Sequence, residues 1–355
     1  MSYRRPALPR TLTAMIAACL AALPTAAQTS RAGEKGQARQ AEQGRWTSPR
    51  TADGHPDLQG VWISISATPL ERPKALADRP LLTDEEVATL RKRAARIFKS
   101  GNSDFAAGDN VFLAAFENVD QFRSPTATHG ADEMIEREFD NRTSLVVDPP
   151  DGRIPALTPE AQQRQAATAA AVQYPARAED VNNAQRCISW SVPRLGGRYG
   201  AGDLAYYQIF QNRGYVVIYL ETGHEARIIP LDGRPHLSRG VRQWNGDSRG
   251  RWEGDTLIVD TTNFSHKSNF MTAAEGLHLV ERFTRIAPDR IKYEMRLEDP
   301  TTWTRSWSAE MPLKLSREPL FESACHEGNY EIMSGMLRAA RVNKAAARSA
   351  GAEPR

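Results

Sequence analysis

No His-x-His or His-x-x-x-His pair occurs among the seven histidines, and no cofactor fingerprint stands out in the 355 residues. The first absence leaves no local zinc-ligand set, and the second leaves no sequence basis for a nucleotide or other bound cofactor. The expectation is therefore no cofactor and no metal. Ser189 and Ser248 lie in turn-like contexts, so serine-nucleophile chemistry is not expected either. Long apolar runs are also missing. The apolar stretch from Leu12 to Leu23 is too short to span a bilayer, and no later segment approaches that length, so no transmembrane segment is expected.

That same stretch defines the compartment. Arg4, Arg5 and Arg10 precede it and Thr25-Ala26-Ala27 follows, the order of a secretory signal with a small-residue cleavage site. A signal over 1–27 predicts a periplasmic or secreted protein. A lipobox at Ile16-Ala17-Ala18-Cys19, with Cys19 lipidated, is the alternative, and the apolar residues beyond Cys19 weigh against it. Neither sign of charge is in excess once the signal is set aside. Its three arginines account for the whole difference between 46 basic and 43 acidic residues, so nucleic acid and anionic lipid are not expected partners. The oligomeric state is not legible.

Cysteine is scarce, and the scarcity is informative. Of three, Cys19 belongs to the signal, which leaves Cys187 and Cys325. An isolated pair in an oxidising compartment is most simply a disulfide, with two buried thiols as the alternative.

What is abundant is turn chemistry followed by β-branched runs. Residues 28–54 read as a polar linker and 55–341 as one β-rich domain. Strands are predicted at Ser144 to Val147, Tyr206 to Gln211, Tyr215 to Glu221, Arg227 to Leu231, Thr256 to Thr262, Leu277 to Ile286, Arg290 to Leu297 and Thr304 to Leu313. The stretch between Arg234 and Thr256 reads as a long turn. Short connections such as Asn212-Arg213-Gly214 require antiparallel neighbours, and so many sequential strands must close or stack to hide their edges. Thr83-Asp84-Glu85-Glu86 is a capping box ahead of a helix near 83–99, and Thr158-Pro159 opens another near 158–172. The segment from Ser100 to Asp140 reads as irregular, and 342–355 as a disordered tail.

The run Gly246-Asp247-Ser248-Arg249-Gly250-Arg251-Trp252-Glu253-Gly254-Asp255-Thr256-Leu257-Ile258-Val259, with Ala324-Cys325-His326-Glu327-Gly328-Asn329-Tyr330, resembles a large group of exported bacterial hypothetical proteins that carries no assigned reaction. Gly60-Val61-Trp62, opening an antiparallel series, resembles the Gly-x-Trp start of lipocalin-like barrels. The resemblance implies a tryptophan plugging the barrel base. The expected fold is thus mainly β: an antiparallel meander closing as a lipocalin-like barrel, with two or three peripheral helices.

A closed cup places its chemistry on inward or rim side chains. Leu277, Leu279, Glu281 and Phe283 share one strand face, so Glu281 is either a general acid or the partner of Arg242, Arg282 or Arg227. The turn from Glu221 to Arg227 concentrates His224, Glu225 and Arg227. His326, Glu327 and Asn329 follow Cys325, where a cross-link would hold them in place. The candidate proton-transfer residues are His326, Glu327, His224, Glu281 and Asp299. Arg227, Trp244, Trp252, Trp303 and Asn329 are candidates for substrate binding. Two functions fit: a cofactor-independent lyase, isomerase or hydratase acting on a small hydrophobic or ring-containing molecule, or a periplasmic carrier of such a molecule.

Overall fold

Alternation of apolar and polar residues governs the second half of the chain in the computed structural model. This structure describes residues 46–99, 108–119, 137–173, 175–193, 206–268, 270–273, 275–322 and 324–349. The predicted signal, Cys19 and residues 350–355 lie outside the described residues. From Thr47 onward the chain forms one compact unit.

Ten strands lie in one antiparallel sheet: β1 (Gly60–Ile63), β2 (Val146–Asp148), β3 (Tyr206–Gln211), β4 (Tyr215–Leu220), β5 (Glu225–Pro230), β6 (Asp247–Glu253), β7 (Thr256–Thr262), β8 (His278–Ala287), β9 (Arg290–Glu298) and β10 (Trp307–Leu315). Their order is β5-β4-β3-β1-β10-β9-β8-β7-β6, with β2 lying beside β10. The result is the predicted lipocalin-like barrel, nearly closed. Along β8, β9 and β10 alternate residues are buried, which places Leu279, Glu281 and Phe283, Ile291, Tyr293 and Met295, and Ala309, Met311 and Leu313 inward. Each such aliphatic or aromatic side chain contributes roughly 1.5–3 kcal/mol by leaving water. Trp62 is fully buried in this core, its Nε1 donating to Leu58 O at 2.8 Å, and the Arg285 guanidinium lies 5.4 Å from its ring centre.

Two local rules explain how the barrel tolerates awkward residues. Pro312 lies inside β10, yet β2 pairs only with Ser308 and Ala309, and β1 only with Lys314 and Leu315. Glu310 N donates to Leu145 O on that side, so by strand parity position 312 also points there, into the gap between β2 and β1, where the missing N–H costs no ladder bond. The seam between β5 and β6 closes by packing. A Cβ at Gly250 would lie 2.6 Å from Leu231 Cδ2 and 2.8 Å from Ile229 Cγ2, so only glycine lets the two strands approach.

The segment predicted as a turn before Thr256 is therefore corrected: Asp247–Glu253 is a strand, paired with β7 along its whole length. Among the described residues four α-helices accompany the barrel. The predicted capping box opens α1 (Asp84–Lys99): Thr83 N donates to Glu86 Oε2 at 2.8 Å and Glu86 N to Thr83 Oγ1 at 3.2 Å. Arg79, bonded to the same carboxylate, helps to hold the Glu86 pKa down at about 2. The second helix, α2 (Gly108–Glu117), falls in the stretch read as irregular. It packs with α1 in a satellite core of Val87, Leu90, Ile97, Val111 and Phe112. Thr158 Oγ1 accepts from Ala161 N at 3.1 Å to start α3 (Pro159–Gln173). The last helix, α4 (Asn329–Ser349), continues past Val342, where the tail was predicted to begin. The end of the predicted linker is also structured: Arg50 reaches Asp255 at 2.7 Å, and His55 stacks on Trp252 with ring centres 4.8 Å apart.

Candidate functional site

Inward polar residues of the barrel come first, because their burial makes them costly to keep. Glu281, on β8, is fully buried and accepts from Arg227 Nη1 at 3.0 Å, Arg227 Nη2 at 2.5 Å and the Tyr293 hydroxyl at 2.5 Å. Arg227 Nη2 also reaches Ser248 Oγ and Thr261 Oγ1, each at 3.3 Å. This is the structural pairing anticipated for Glu281, with Arg227 as the partner among the three arginines considered. Burial works against the Arg227 charge, but the adjacent Glu281 carboxylate overcomes it and holds the guanidinium above its ordinary range. For the Tyr293 phenol burial acts in the opposite sense, and together with the Glu281 charge it pushes the hydroxyl well above its ordinary value. Around this network the inward positions are filled by buried side chains, including Tyr207, Leu257, Val259 and Phe283.

Ser248 carries a spacing that the reading of the sequence passed over. Gly246-Asp247-Ser248-Arg249-Gly250 has the Gly-x-Ser-x-Gly pattern, but the serine lies within a paired strand and not at a strand-to-helix elbow. Its hydroxyl is engaged by Thr261 and Arg227 inside the barrel.

The other sequence candidates are dispersed. His224 is exposed, with positive φ of 54°, and its Nδ1 is 3.1 Å from the Tyr219 hydroxyl; the neighbouring Glu221 accepts from Phe321 N at 3.0 Å. Cys187 and Cys325 form a disulfide with Cα atoms 5.8 Å apart. It anchors the segment holding His326, Glu327 and Asn329 to the stretch before β3. Asn329 Nδ2 donates to Gln185 O at 3.0 Å, while His326 and Glu327 are exposed. Asp299 organises the β9–β10 turn by accepting from Thr301 N, Thr301 Oγ1 and Thr302 Oγ1. Trp303 packs edge-on against Trp307, with both buried, and the Trp244 carbonyl accepts from Ser268 Oγ at 2.6 Å. The structure thus brings Arg227 to Glu281, sets Asp299 and Trp303 in one turn where Trp303 N donates to Asp299 O at 2.9 Å, and leaves the remaining candidates apart from both.

A cleft of about 1220 Å³ lies among α3, the 178–183 segment, the 266–272 loop and Trp303. Leu70, Ile154, Leu157, Val181, Met271 and Trp303 supply its apolar surface, with Arg164, Glu71, Asp180 and Lys267 among the charged groups and His266 beside them. Trp303 is the sole sequence candidate lining it. One wall is unusual: Met271 and Thr272 have φ of 49° and 78°, inside a tight turn closed by reciprocal bonds between Phe270 and Ala273. Such turns normally carry Asn-Gly, and a β-branched residue in the left-handed region costs about 1–3 kcal/mol.

On the outer face of the barrel wall a second polar cluster forms. His236 Nδ1 faces Asp247 Oδ2 at 3.0 Å, and its Nε2 faces Asp260 Oδ1 at 3.1 Å. His278 Nε2 is 3.1 Å from the same Asp260 oxygen. Asp247 is in turn held by Arg249 Nη1 at 2.7 Å and Leu237 N at 2.9 Å. The hydrogen bond from His278 lowers the Asp260 pKa, and Asp260 raises that of His278. Sequence reasoning missed Asp247, Asp260 and His278 because they come from three different strands. A usable signal existed in β7, where Asp260 falls on the outward parity opposite Val259 and Thr261. Among the described residues no group of His, Cys, Asp and Glu is arranged to hold a metal ion, and no helix is long and apolar enough to cross a membrane.

The chain matches no protein-family profile, no curated protein and no solved structure.

Proposed function

We propose that this is an exported small-molecule-binding protein whose ligand occupies the cleft floored by Trp303 rather than the barrel lumen. The observation that carries this reading is the cleft itself: about 1220 Å³, with a wall built on the two consecutive left-handed residues Met271 and Thr272. Strained backbone of this kind persists where the surroundings over-determine it, and it concentrates at ligand sites. The surface is mixed, with aliphatic and indole groups below and charges of both signs around. It suits an amphiphilic molecule with a ring-like or aliphatic body and a polar end.

Of the two functions read from the sequence, the carrier is the better supported. None of His224, Glu281, Asp299, His326 and Glu327 lines the cleft: Asp299 spends its carboxylate on Thr301 and Thr302 behind Trp303, and Glu281 is committed to Arg227. A proton-transfer centre needs its groups within hydrogen-bond reach of one reacting atom.

The test is a titration with 1-anilinonaphthalene-8-sulfonate, an amphiphilic ring probe. Thr168, exposed on α3 and lining the cleft, is replaced by tryptophan to fill the space without touching the core. The wild type is expected to bind the probe saturably, and Thr168→Trp to weaken it by at least about tenfold, or 1.4 kcal/mol, with unchanged circular dichroism. Equal binding by both proteins would overturn the cleft as the site.

A further inference from the structure

The segment between β5 and β6 runs 232–246 without regular structure, and from Asp232 to Gln243 every side chain is exposed except that of His236. That imidazole, 28% exposed, reaches down between two strands of the barrel wall. Carboxylate oxygens face both of its ring nitrogens, Asp247 on β6 at 3.0 Å and Asp260 on β7 at 3.1 Å. Only an imidazolium has an N–H for each. A neutral ring donates to one carboxylate and turns a lone pair toward the other, so the arrangement is complete only when protonated.

The same loop supports the cleft. Gln243 N donates to Asn263 O at 3.0 Å, and Ser265 N returns a bond to Gln243 O at 2.8 Å. Ser268 Oγ donates to Trp244 O at 2.6 Å, and Arg242 Nη1 donates to Phe264 O and Glu275 O at 3.1 Å each. These partners belong to the 263–275 connection, which carries His266, Lys267, Ser268, Met271 and Thr272 to the cleft wall.

We propose that His236, Asp260 and His278 form a proton-operated clasp that pins the 232–246 loop to the barrel and, through it, sets the order of the cleft wall. The coupling to ligand rests on the cleft being the binding site; the clasp itself does not. The groups facing it are Asp247 and Arg249 on β6, Asp260 on β7, His278 on β8, and Glu298 and Arg296 on β9, while Asp232 and Arg234 on the loop pair with each other. Arg249 holds Asp247 in place at 2.7 Å. The sign follows from the partners. His278 is raised, so its contribution is complete below the ordinary histidine value of 6.5 and is lost as pH climbs through its folded value. Asp260 is lowered, so its contribution is present above 3.8 and disappears only as pH falls through a still lower value. The clasp is closed in mild acid and slackens in mild alkali. Other loop bonds, among them Asn263 Nδ2 to Leu237 O and Arg249 Nε to Pro235 O, involve no histidine and keep the loop from leaving altogether.

The experiment is hydrogen–deuterium exchange of the ligand-free, disulfide-intact protein at about pH 5.5 and about pH 8.5, corrected for intrinsic exchange. Protection across 232–246 and 263–273 is expected to fall about two- to fivefold at the higher pH, the range set by partly exposed ion pairs. His236→Asn is expected to remove the pH dependence in both segments. Asp260→Asn, which keeps the side-chain shape, should do the same. Equal protection at both pH values, or a pH response that survives in His236→Asn, would overturn the clasp. Anilinonaphthalene sulfonate binding at the two pH values then separates the two readings. Equal protection at both pH values with probe binding intact refutes this inference alone, and a pH-dependent clasp with no cleft binding refutes the proposed function alone.

Discussion

Strands β7 and β8 carry two charge clusters back to back on one wall, and they behave in opposite ways. Inside, Glu281 faces Arg227 with both side chains almost wholly buried. Outside, Asp260 faces His236 and His278, which remain 28% and 43% exposed. The inner pair is permanent: arginine does not titrate, burial penalises any unpaired charge, and Tyr293, Ser248 and Thr261 complete the bonding. The outer set uses histidine in reach of water and is therefore adjustable. Side-chain parity alone sorts them, since Leu279, Glu281 and Phe283 point in while His278, Val280 and Arg282 point out. The lesson is that solvent access, more than the number of hydrogen bonds, decides whether a charge cluster holds a fold or responds to its surroundings.

The contrast can be broken most forcefully from the inside. Glu281→Leu strands Arg227 in the core, and urea denaturation is expected to show a loss of about 3–5 kcal/mol. Pairing it with Arg227→Met should recover most of that loss, because an apolar pair needs no desolvation offset. A double variant as unstable as the single would mean that the bonds to Tyr293, Ser248 and Thr261 matter more than the charges. Next in size is the disulfide, which closes a separation of 138 residues. Cys187→Ser with Cys325→Ser is expected to lower stability by about 2–5 kcal/mol, read as a drop in the urea midpoint. The smallest effect belongs to the outer cluster. His278→Asn should cost a few tenths to about 1 kcal/mol in mild acid, discounted for its exposure, and nothing above the folded pKa of His278. A loss of the same size at alkaline pH would show that His278 acts by packing and not by charge.

Much of the barrel was legible before any coordinates, and particular residues show why. β3 and β7 begin and end where turn residues and β-branched runs place them. The capping box at Thr83 and Glu86 identified the start of α1 because both of its bonds are local. Glu281 could be placed inward by counting along its own strand. β6 was hidden, since Arg249, Gly250 and Arg251 have the composition of a turn, and Gly250 is required only because Ile229 of β5 and Leu231 just after it press against it. α2 was hidden for a related reason, its apolar face being explained by α1 rather than by any cap of its own. The His236 cluster could not be read because its members are joined across strands whose register is set by the whole sheet.

By itself the sequence determined the class of fold, the antiparallel neighbours and the inward face of Glu281, since each depends on short-range periodicity or on counting, whereas it left the two later cysteines either paired or buried as thiols. The tertiary structure decided which arginine meets that carboxylate, where the barrel seam closes, where a cavity opens beside Trp303 and which carboxylates enclose His236. Those outcomes depend on contacts between residues far apart in the chain, and no local pattern encodes the distance between them.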